Sequence, residues 1–405
     1  MQILKILAVM AFSLPAVMAN AADETAMPPQ APNGVASLGW NLVRAAGKGN
    51  VTVSPFSLWE TLAMTHAGAR GATAAEIAQV LGMPDDRDAI AAAAKSLRKE
   101  IADAKGDSTT LEVANRLWVD RATRIEDPLA TTLKRAYSAS VGNVDFVGHP
   151  AESRAEINRW VSERTARKIP ELLSPEAITT NTRVVLTNAI YLKAPWADPF
   201  DKSDTSVASF QRAVGDTIRV PFMHRSDEMV AGSIGEGTAA AATVCEIPYE
   251  GNRLSMVIVV PEAVDGLTAV LERIDDWKNN PNDWADFVRR EVNLSMPRWK
   301  VRQQLPLNAV LETMGMSKAF MPKEADFSRV DGTRDLFVSS VIQECFVEVA
   351  EEGTEAAAAT ATELTMALSP PMEILECRAD RPFAWAIVSR ESGVILFAGT
   401  VVDPR

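Results

Sequence analysis

The sequence predicts an α+β fold, because amphipathic helical patterns dominate its first half and apolar strand patterns its second, without a strict β-α-β alternation. Of its 405 residues, 47% are hydrophobic and 23% charged, which is ordinary for a globular protein. No Ser/Gly-rich linker interrupts the sequence. We therefore expect a single domain with helices mostly in the N-terminal half.

The N-terminal residues 1–21 have the pattern of a secretory signal peptide, with Lys5, an apolar run at 6–17 and a small-x-small cleavage pattern at the end. About 12 apolar residues, interrupted by Pro15, are too few to span a bilayer, which needs roughly 20. We therefore expect a secreted or periplasmic protein that has no membrane partner once the signal is removed. Residues 22–34 are expected to form a flexible segment.

Three helices are predicted in the first half of the chain. Thr73 and Glu76 have capping-box spacing, apolar residues follow at helical intervals, and Gly82 supplies a stop. Amphipathic spacing at residues 90–101 and 157–161 predicts two more helices whose apolar faces belong to the core.

The second half is richer in strand patterns. Some are near-continuous apolar runs, typical of strands covered on both faces, and others alternate between apolar and polar residues. Strands are predicted at 184–192, 254–260, 292–296, 341–349 and, as a buried pair around Gly399, at 394–402.

Charge and cysteine content limit the class of protein further. A formal net charge of −12 argues against nucleic acid as a partner. The three cysteines, Cys245, Cys345 and Cys377, are too few for a disulfide framework. They are predicted to be buried or isolated thiols, with one pair and one remaining thiol as the alternative.

Motifs for catalysis and for cofactor binding are missing from the sequence. It has no GxSxG, GxxxxGK[ST] or HExxH motif, and its three histidines, His66, His149 and His224, lie far apart. Adjacent carboxylates such as Asp275 and Asp276 are common on protein surfaces. We therefore expect a protein that is not an enzyme and that holds no metal or other cofactor.

The most unusual segment is 351–371, which reads EEGTEAAAATATELTMALSPP. From Gly353 to Thr362 every residue except Glu355 is small or Thr. Its composition fits a helix, a mobile linker or an exposed strand. Its period-two pattern adds a constraint, because both internal glutamates, Glu355 and Glu363, fall in the odd register. The even register is uncharged and holds Thr354, Ala356, Ala358, Thr360, Thr362, Leu364 and Met366.

That uncharged register would let one face of a strand at 351–371 be buried while the other meets water. The segment is therefore competent to insert into a sheet. A segment that is a loop in one state and a central strand in another is a two-state device, because the strand satisfies a ladder of backbone groups.

The chain resembles the serpins, the serine protease inhibitor family, over about residues 35–404. The segments that carry the resemblance follow the family order: NVTVSPFSLWETLAMTHAGARGAT (50–73), VVLTNAIYLKAPWADPF (184–200), EIPYEGNRLSMVIVVP (246–261), ADFSRV (325–330), FVEVAEEGTEAAAATA (346–361) and ADRPFAWAI (379–387). The resemblance implies an inhibitory, bacterial-type secreted member, with a serpin-like domain over 35–405, a large central β-sheet, further sheets and an exposed reactive loop at about 351–371.

The resemblance also implies roles within the loop. The hinge that enters the central sheet would comprise Glu351, Gly353, Thr354, Ala356 and Ala358. The reactive bond would join Ala367 to Leu368, with Met366 as the alternative pocket-filling residue. These apolar residues suit elastase-, chymotrypsin- or subtilisin-like proteases.

The implied mechanism is suicidal, and its partner is a target serine protease held as a covalent acyl-enzyme, with cysteine proteases as a second class. The cut loop would insert as a strand of fourteen residues, 354–367, about 46 Å long. The serpin would act as a monomer. The alternative is a non-inhibitory serpin-like binding or chaperone protein that is cleaved as an ordinary substrate.

Support for sheet opening is assigned by the same resemblance to Ser54, Ser57, Asn188, Trp196 and Arg298, with Arg298 as the partner of Glu351. The sequence departs from the family pattern at two positions. Gln343 stands where many members have His, and Ala194 where many have Gly.

Overall fold

A computed structural model describes residues 30–104, 108–139, 141–212, 216–274, 287–354 and 374–405. The predicted signal peptide and most of the predicted reactive loop lie outside these residues. Among the helices that are described, none combines the length and the apolar stretch that a membrane span requires.

The described residues form long helices before residue 165 and mainly strands after it. The helices are α1 (Gln30–Ala45), α2 (Pro55–Gly68), α3 (Gly71–Leu81), α4 (Arg87–Asp103), α5 (Asp127–Tyr137), α6 (Pro150–Arg164), α7 (Leu267–Arg273), α8 (Asn308–Thr313) and α9 (Ser328–Asp331). The strands are β1 (Val51–Val53), β2 (Thr110–Asp120), β3 (Gly142–Val144), β4 (Val184–Pro195), β5 (Ser206–Gln211), β6 (Thr217–Ile234), β7 (Ala242–Pro248), β8 (Leu254–Pro261), β9 (Val288–Pro297), β10 (Trp299–Pro306), β11 (Val338–Ala350), β12 (Gly353–Thr354), β13 (Leu375–Arg378), β14 (Phe383–Ser389) and β15 (Ile395–Val401).

The central sheet has six strands in the order β10-β11-β12-β4-β2-β3. Over most of their length β11 and β4 pair directly and in parallel, from Val338 opposite Val184 to Phe346 opposite Tyr191. The two-residue strand β12 lies between them at one end only, antiparallel to both. The sheet is thus closed along most of the β11–β4 seam and open at one end.

A second sheet of nine strands runs in the order β1-β15-β14-β8-β7-β6-β9-β13, with β5 attached to β6. The prediction of a strand pair around Gly399 is wrong, because Ile395–Val401 is one continuous strand. Gly399 is required by close packing and not by a turn, since a Cβ there would lie 1.9 Å from the Val51 carbonyl oxygen. With the two sheets and the N-terminal helices, the predicted α+β class is confirmed.

Two helices position the central sheet. Helix α2 is buried along its whole length, which explains why its sequence has no continuous charged face. Helix α6 covers the opposite face, where Ile157 and Val161 pack with Val185 and Ala189 of β4 and Ile342 of β11. Helix α6 therefore lies across the seam between β4 and β11.

Most predicted elements are confirmed, but the capping box is not. Helix α3 begins at Gly71, two residues before Thr73. The buried Thr73 hydroxyl accepts from the Asp326 backbone N–H at 3.0 Å, and Glu76 accepts from the N–H groups of Ser317 and Lys318. Both side chains are used in tertiary contacts. The stop at Gly82 is confirmed, with φ +65° at the C-cap of α3.

The predicted flexible segment 22–34 is wrong at its C-terminal end, because helix α1 already begins at Gln30. Ala31, Pro32 and Gly34 are buried in this helix. Gly34 lies so close to α3 that a Cβ there would be 2.0 Å from the Leu81 carbonyl oxygen. Tertiary packing thus fixes a start that has weak local helix formers.

Candidate functional site

The hinge strand β12 lies between the ends of β11 and β4. Gly353 is opposite Ala350 and Pro195, and Thr354 is opposite Val349 and Ala194. Gly353 has φ +146°, and a Cβ on it would lie 2.3 Å from the Ala194 carbonyl oxygen and 2.6 Å from the Cα of Pro195. Glycine is required here by both the backbone angle and the close neighbouring strand.

Thr354 is fully buried, and its side chain is held from beneath the sheet. Its hydroxyl hydrogen bonds with the Tyr249 hydroxyl at 2.7 Å. The Tyr249 ring stacks on Trp196 with centroids 4.6 Å apart, and the Trp196 Nε1–H donates to the Ala350 carbonyl at 2.9 Å. Burial raises the pKa of Tyr249, so this phenol stays protonated and able to donate. The predicted Trp196 therefore lies directly at the entry of β12.

Glu351 anchors the chain just before the hinge. Its side chain is 2% exposed, and it accepts hydrogen bonds from Arg298 Nε at 2.7 Å and from the Thr205 hydroxyl at 2.6 Å. Burial would raise the pKa of Glu351, but the hydrogen bonds from Thr205 and Arg298 outweigh it and lower the pKa. The structure thus brings Arg298 and Glu351 together as expected and adds Thr205, which sequence reasoning missed.

A polar cluster crosses the sheet beneath the closed part of the seam and comprises Ser54, Ser57, Asn115, Asn188 and Gln343. The Asn188 amide donates to Ser57 Oγ at 2.8 Å and to Asn115 Oδ1 at 2.7 Å. Gln343 donates to Asn188 Oδ1 at 2.5 Å and to the Ser54 carbonyl at 2.9 Å, and accepts from the Ser54 N–H at 2.9 Å. Ser54, Ser57 and Asn188 therefore meet, as expected.

The departure at Gln343 is accommodated within this polar cluster, because one amide both accepts and donates. An amide carries no proton that titrates near neutral pH, so Gln343 itself gives the cluster no pH switch. Asn115 was missed by sequence reasoning, although it is a polar residue within the apolar pattern of β2. It lies opposite Asn188 in the register of the two strands, a relation that only the fold establishes.

Other predicted site residues lie outside the described part of the chain. These are the hinge residues Ala356 and Ala358 and the reactive-bond residues Ala367, Leu368 and Met366. In the ranges that are described, there is no group of three or more side chains suited to binding a metal ion.

The cysteines are buried thiols in the described structure, in line with the first of the two readings of the sequence. Burial raises the pKa of Cys345, and it raises that of Cys245 as well, with a further contribution from a hydrogen bond to Cys377. Such thiols are poor nucleophiles near neutral pH.

Comparison with known proteins identifies the family. A family model described as Serpin (serine protease inhibitor) matches residues 35–404. The chain belongs to the serpin family. Leukocyte elastase inhibitor A of Rattus norvegicus is 35% identical over 372 residues, covering 90% of this serpin and 95% of the rat protein. The leukocyte elastase inhibitor of Homo sapiens is 36% identical over 365 residues, covering 88% of this serpin and 93% of the human protein.

Solved structures agree with this assignment. Serpin48 of the insect Tenebrio molitor superimposes on this serpin with a TM-score of 0.81 and 31% identity, covering 96% of this chain and 100% of the insect chain. The predicted serpin resemblance and serpin-like fold are thereby confirmed. The family description makes serine proteases the kind of partner, and inhibition the broad activity. The bacterial-type secreted origin and the signal peptide stay predictions.

Proposed function

We propose that this serpin traps serine proteases of apolar primary specificity as a suicide substrate. The protease cuts the reactive loop and forms an acyl-enzyme, and the freed hinge side inserts between β11 and β4 before deacylation. The observation that carries the proposal is the position of Gly353–Thr354, paired on both sides between the two strands that must separate. The hinge thus needs only to extend a strand that has already begun.

The length of the seam supports this proposal. Continuing the register of Thr354 opposite Ala194 and Val349 would bring residue 364 level with Val184 and residue 365 level with Val338. Those two residues begin β4 and β11. Counted from Thr354, the seam therefore accommodates eleven or twelve inserted residues. The strand of fourteen residues expected from the sequence would fill it and extend two or three residues further, to the expected reactive bond.

The chemistry of the two faces supports it as well. Thr354 points into the main core, and the residues that would flank the even register on β11 and β4 include the buried Val347, Cys345, Leu192 and Ile190. Even-register residues of the loop carry no charge. On the side of the main core, insertion in this register would bury only uncharged side chains, which avoids the cost of an unpaired charge there.

The proposed specificity follows from Met366, Ala367 and Leu368, which suit a small or medium apolar pocket. Two of the relatives are named leukocyte elastase inhibitors, which supports an apolar target. We include cysteine proteases as a second target class. The proposal is for a monomer that is secreted or periplasmic.

The decisive experiment mixes the protein with pancreatic elastase, chymotrypsin and subtilisin, with papain for the second class and trypsin as the control. We expect a covalent complex that survives denaturing electrophoresis with the apolar-specific serine proteases but not with trypsin. Mass analysis of the released peptide should place its first residue at Leu368. Complete cleavage without any covalent complex would favour the non-inhibitory alternative.

Thr354→Arg tests insertion itself. A guanidinium at this fully buried position would have no acidic partner, a change that costs several kcal/mol, about 3–5 by analogy with broken buried pairs. We expect the variant to be cleaved as a substrate with little or no covalent complex, measured as the stoichiometry of inhibition of chymotrypsin. The matched control is Glu355→Arg, which puts the same side chain in the odd register and should keep most trapping. Equal trapping by the two variants would contradict insertion in this register.

A further inference from the structure

A cavity of about 450 Å³ lies beside β2, away from the hinge, between helices α2, α4 and α5 on one side and α6 on the other. It follows an edge of the central sheet, because β3 pairs only with residues 118–120 of β2. Three arginines line it: Arg98 of α4, Arg116 of β2 and Arg164 of α6.

Arg98 is fully used by the protein. Its Nε donates to Glu60 Oε1 at 2.7 Å, and its Nη2 also contacts this carboxylate. The other oxygen of Glu60 accepts from the Asn115 amide at 3.0 Å. The Glu60 carboxylate is 5% exposed, and its two oxygens are bound by Arg98 and Asn115. It is therefore not available to pair with the remaining two arginines.

Arg116 has no such partner. Its guanidinium lies 4.5 Å from the ring centroid of Trp118 and 5.2 Å from that of Trp160. Its Nε is buried without a hydrogen-bond acceptor, and in the described part of the chain no side chain forms an ion pair with it. A buried hydrogen-bond donor without an acceptor costs folding free energy, and its presence requires an explanation.

Arg164 brings a second unneutralised cation to the same indole. It lies one helical turn beyond Trp160 on α6, with its guanidinium 5.8 Å from the Trp160 ring centroid. Within the described ranges it too forms no ion pair. Two guanidinium groups thus stand around one tryptophan, and no carboxylate of the described residues pairs with either of them.

The nearby acidic side chains do not neutralise Arg116 and Arg164 by direct pairing. Glu112 lines the cavity, and the exposed Glu156 of α6 acts on Arg116 only from a distance, since neither forms an ion pair with Arg116 or Arg164 in the described structure. Burial lowers the pKa of Arg116, the charge of Glu156 opposes this effect, and the charge of Arg164 adds to it. Arg116 nonetheless stays protonated, because an arginine does not lose its proton in a protein.

We infer that this cavity binds a small organic anion, whose phosphate or carboxylate group lies between Arg116 and Arg164. Guanidinium groups form paired, charge-assisted hydrogen bonds with both of these oxyanions. The apolar part of the ligand would lie against Trp160 and the side chains of Phe56 and Ile101, which line the same cavity. The volume suits an organic ligand better than a bare ion.

The site deepens the proposed function, on which its consequence for inhibition rests. Insertion between β4 and β11 must separate Ile342 from Val185 and Ala189, and all three pack beneath α6. Helix α6 therefore has to move relative to the part of the sheet that lies beneath it. A ligand that joins Arg164 of α6 to Arg116 of β2 resists that shift, slows insertion and lets more of the serpin be cleaved as a substrate.

Calorimetry with phenyl phosphate, benzoate, inorganic phosphate and phenol tests the site directly. We expect both organic anions to bind, inorganic phosphate to bind more weakly and phenol not to bind. Arg164→Gln and Arg116→Lys should each weaken binding about tenfold, since each removes charge-assisted hydrogen bonds. Arg116→Lys keeps the charge, and so protects the fold while removing the planar donor pair.

Two further variants make this test specific. Arg154→Gln, on the same helix but paired with Glu171 at 2.7 Å, should leave binding unchanged. Glu156→Gln should strengthen binding, because it removes a negative charge that acts on Arg116. Absence of binding by all of the anions, or equal affinities in Arg164→Gln and Arg154→Gln, would overturn the site.

The consequence is measured as the stoichiometry of inhibition of chymotrypsin with saturating phenyl phosphate. It should rise in the natural protein and stay unchanged in Arg164→Gln. Binding without this rise would overturn the coupling to insertion but leave the site standing. If no protease forms a covalent complex, the proposed function fails, and calorimetry still decides the site.

Discussion

The buried carboxylate of Glu351 fixes the position of the chain just before the hinge strand. It closes the end of β11 by accepting from Arg298 and Thr205, which lie 53 and 146 residues away in the sequence. The backbone carbonyls of Glu351 and Glu352 accept from the N–H groups of Phe200 and Trp196, each at 2.9 Å. These contacts hold the chain before Gly353 in place, and under the proposed mechanism the loop would begin to move at this glycine.

Glu351→Gln should make stability respond differently to pH. The pKa of Glu351 is lowered in the folded protein, so its stabilising contribution is present above the ordinary value of 4.5 and is lost as the pH falls through the folded value. At pH 7 we expect the natural protein to be more stable by about 1–3 kcal/mol, a difference that shrinks below about pH 4.5. Urea unfolding between pH 7 and 3 measures it.

Glu352→Gln is the control for this prediction. Glu352 pairs with Lys202, whose side chain is 68% exposed, and exposed pairs contribute about 1 kcal/mol or less. A difference between the natural protein and Glu351→Gln that does not change with pH would contradict the role given to Glu351.

The strand β12 is attached to the central sheet through two residues, Gly353 and Thr354. Its antiparallel pairing with both neighbours sets the register for any further insertion. Gly353 makes this pairing accessible, since no other residue combines its backbone angle with the close approach of Ala194. Under the proposed mechanism, insertion would therefore depend on the hinge strand starting in the correct register.

Gly353→Ala should slow insertion without abolishing cleavage. The added Cβ meets backbone atoms of β4 that cannot yield as a flexible side chain can. Strain of about 1–2 kcal/mol in this resting pairing would displace the hinge from β4. Insertion would first have to restore the strained pairing, which would slow it roughly five- to thirtyfold, and the stoichiometry of inhibition should rise. The control is Gly237→Ala, where φ is +71° but no atom lies within 4 Å of the added Cβ. Similar inhibition by both variants would mean that the contact with β4 is unimportant.

At the scale of the whole molecule, the proposed change would take place in the seam of the central sheet, between β11 and β4. The parallel pairing of β11 with β4 is slightly less stable per residue than antiparallel pairing. An inserted strand would be antiparallel to both and would add hydrogen bonds on each side. The polar cluster beneath the seam offers bonds that can be remade after the strands part.

Cleavage should therefore raise heat resistance. A strand of fourteen residues with hydrogen bonds worth about 0.5–1.5 kcal/mol each adds on the order of 10 kcal/mol, enough to raise Tm by more than about 10 °C. Differential scanning calorimetry of the intact and cleaved natural protein measures the gain. Cleaved Thr354→Arg should show little of it, and equal melting of intact and cleaved natural protein would exclude strand insertion.

Local patterns predicted much of this serpin, because the spacing of apolar residues reports which face of an element is buried. The strands at 184–192 and 341–349 are confirmed for that reason. The helix stop at Gly82 is confirmed because glycine readily adopts the left-handed conformation of a C-cap. The same reasoning failed at Thr73, where a contact with distant Asp326 outweighs the local capping pattern. It failed again at Gln30, where packing on α3 stabilises a helix that its own residues favour weakly.

From the sequence alone came the α+β class, the family resemblance and the uncharged register of the loop, since each depends on residue order or period. Tertiary structure alone decided that Thr205 joins Arg298 at Glu351, and that Asn115 completes the polar cluster. It also placed Arg116 and Arg164 around one indole. Periodicity specifies a buried face but not what lies across from it, because the partner is set by the packing of elements far apart in the chain.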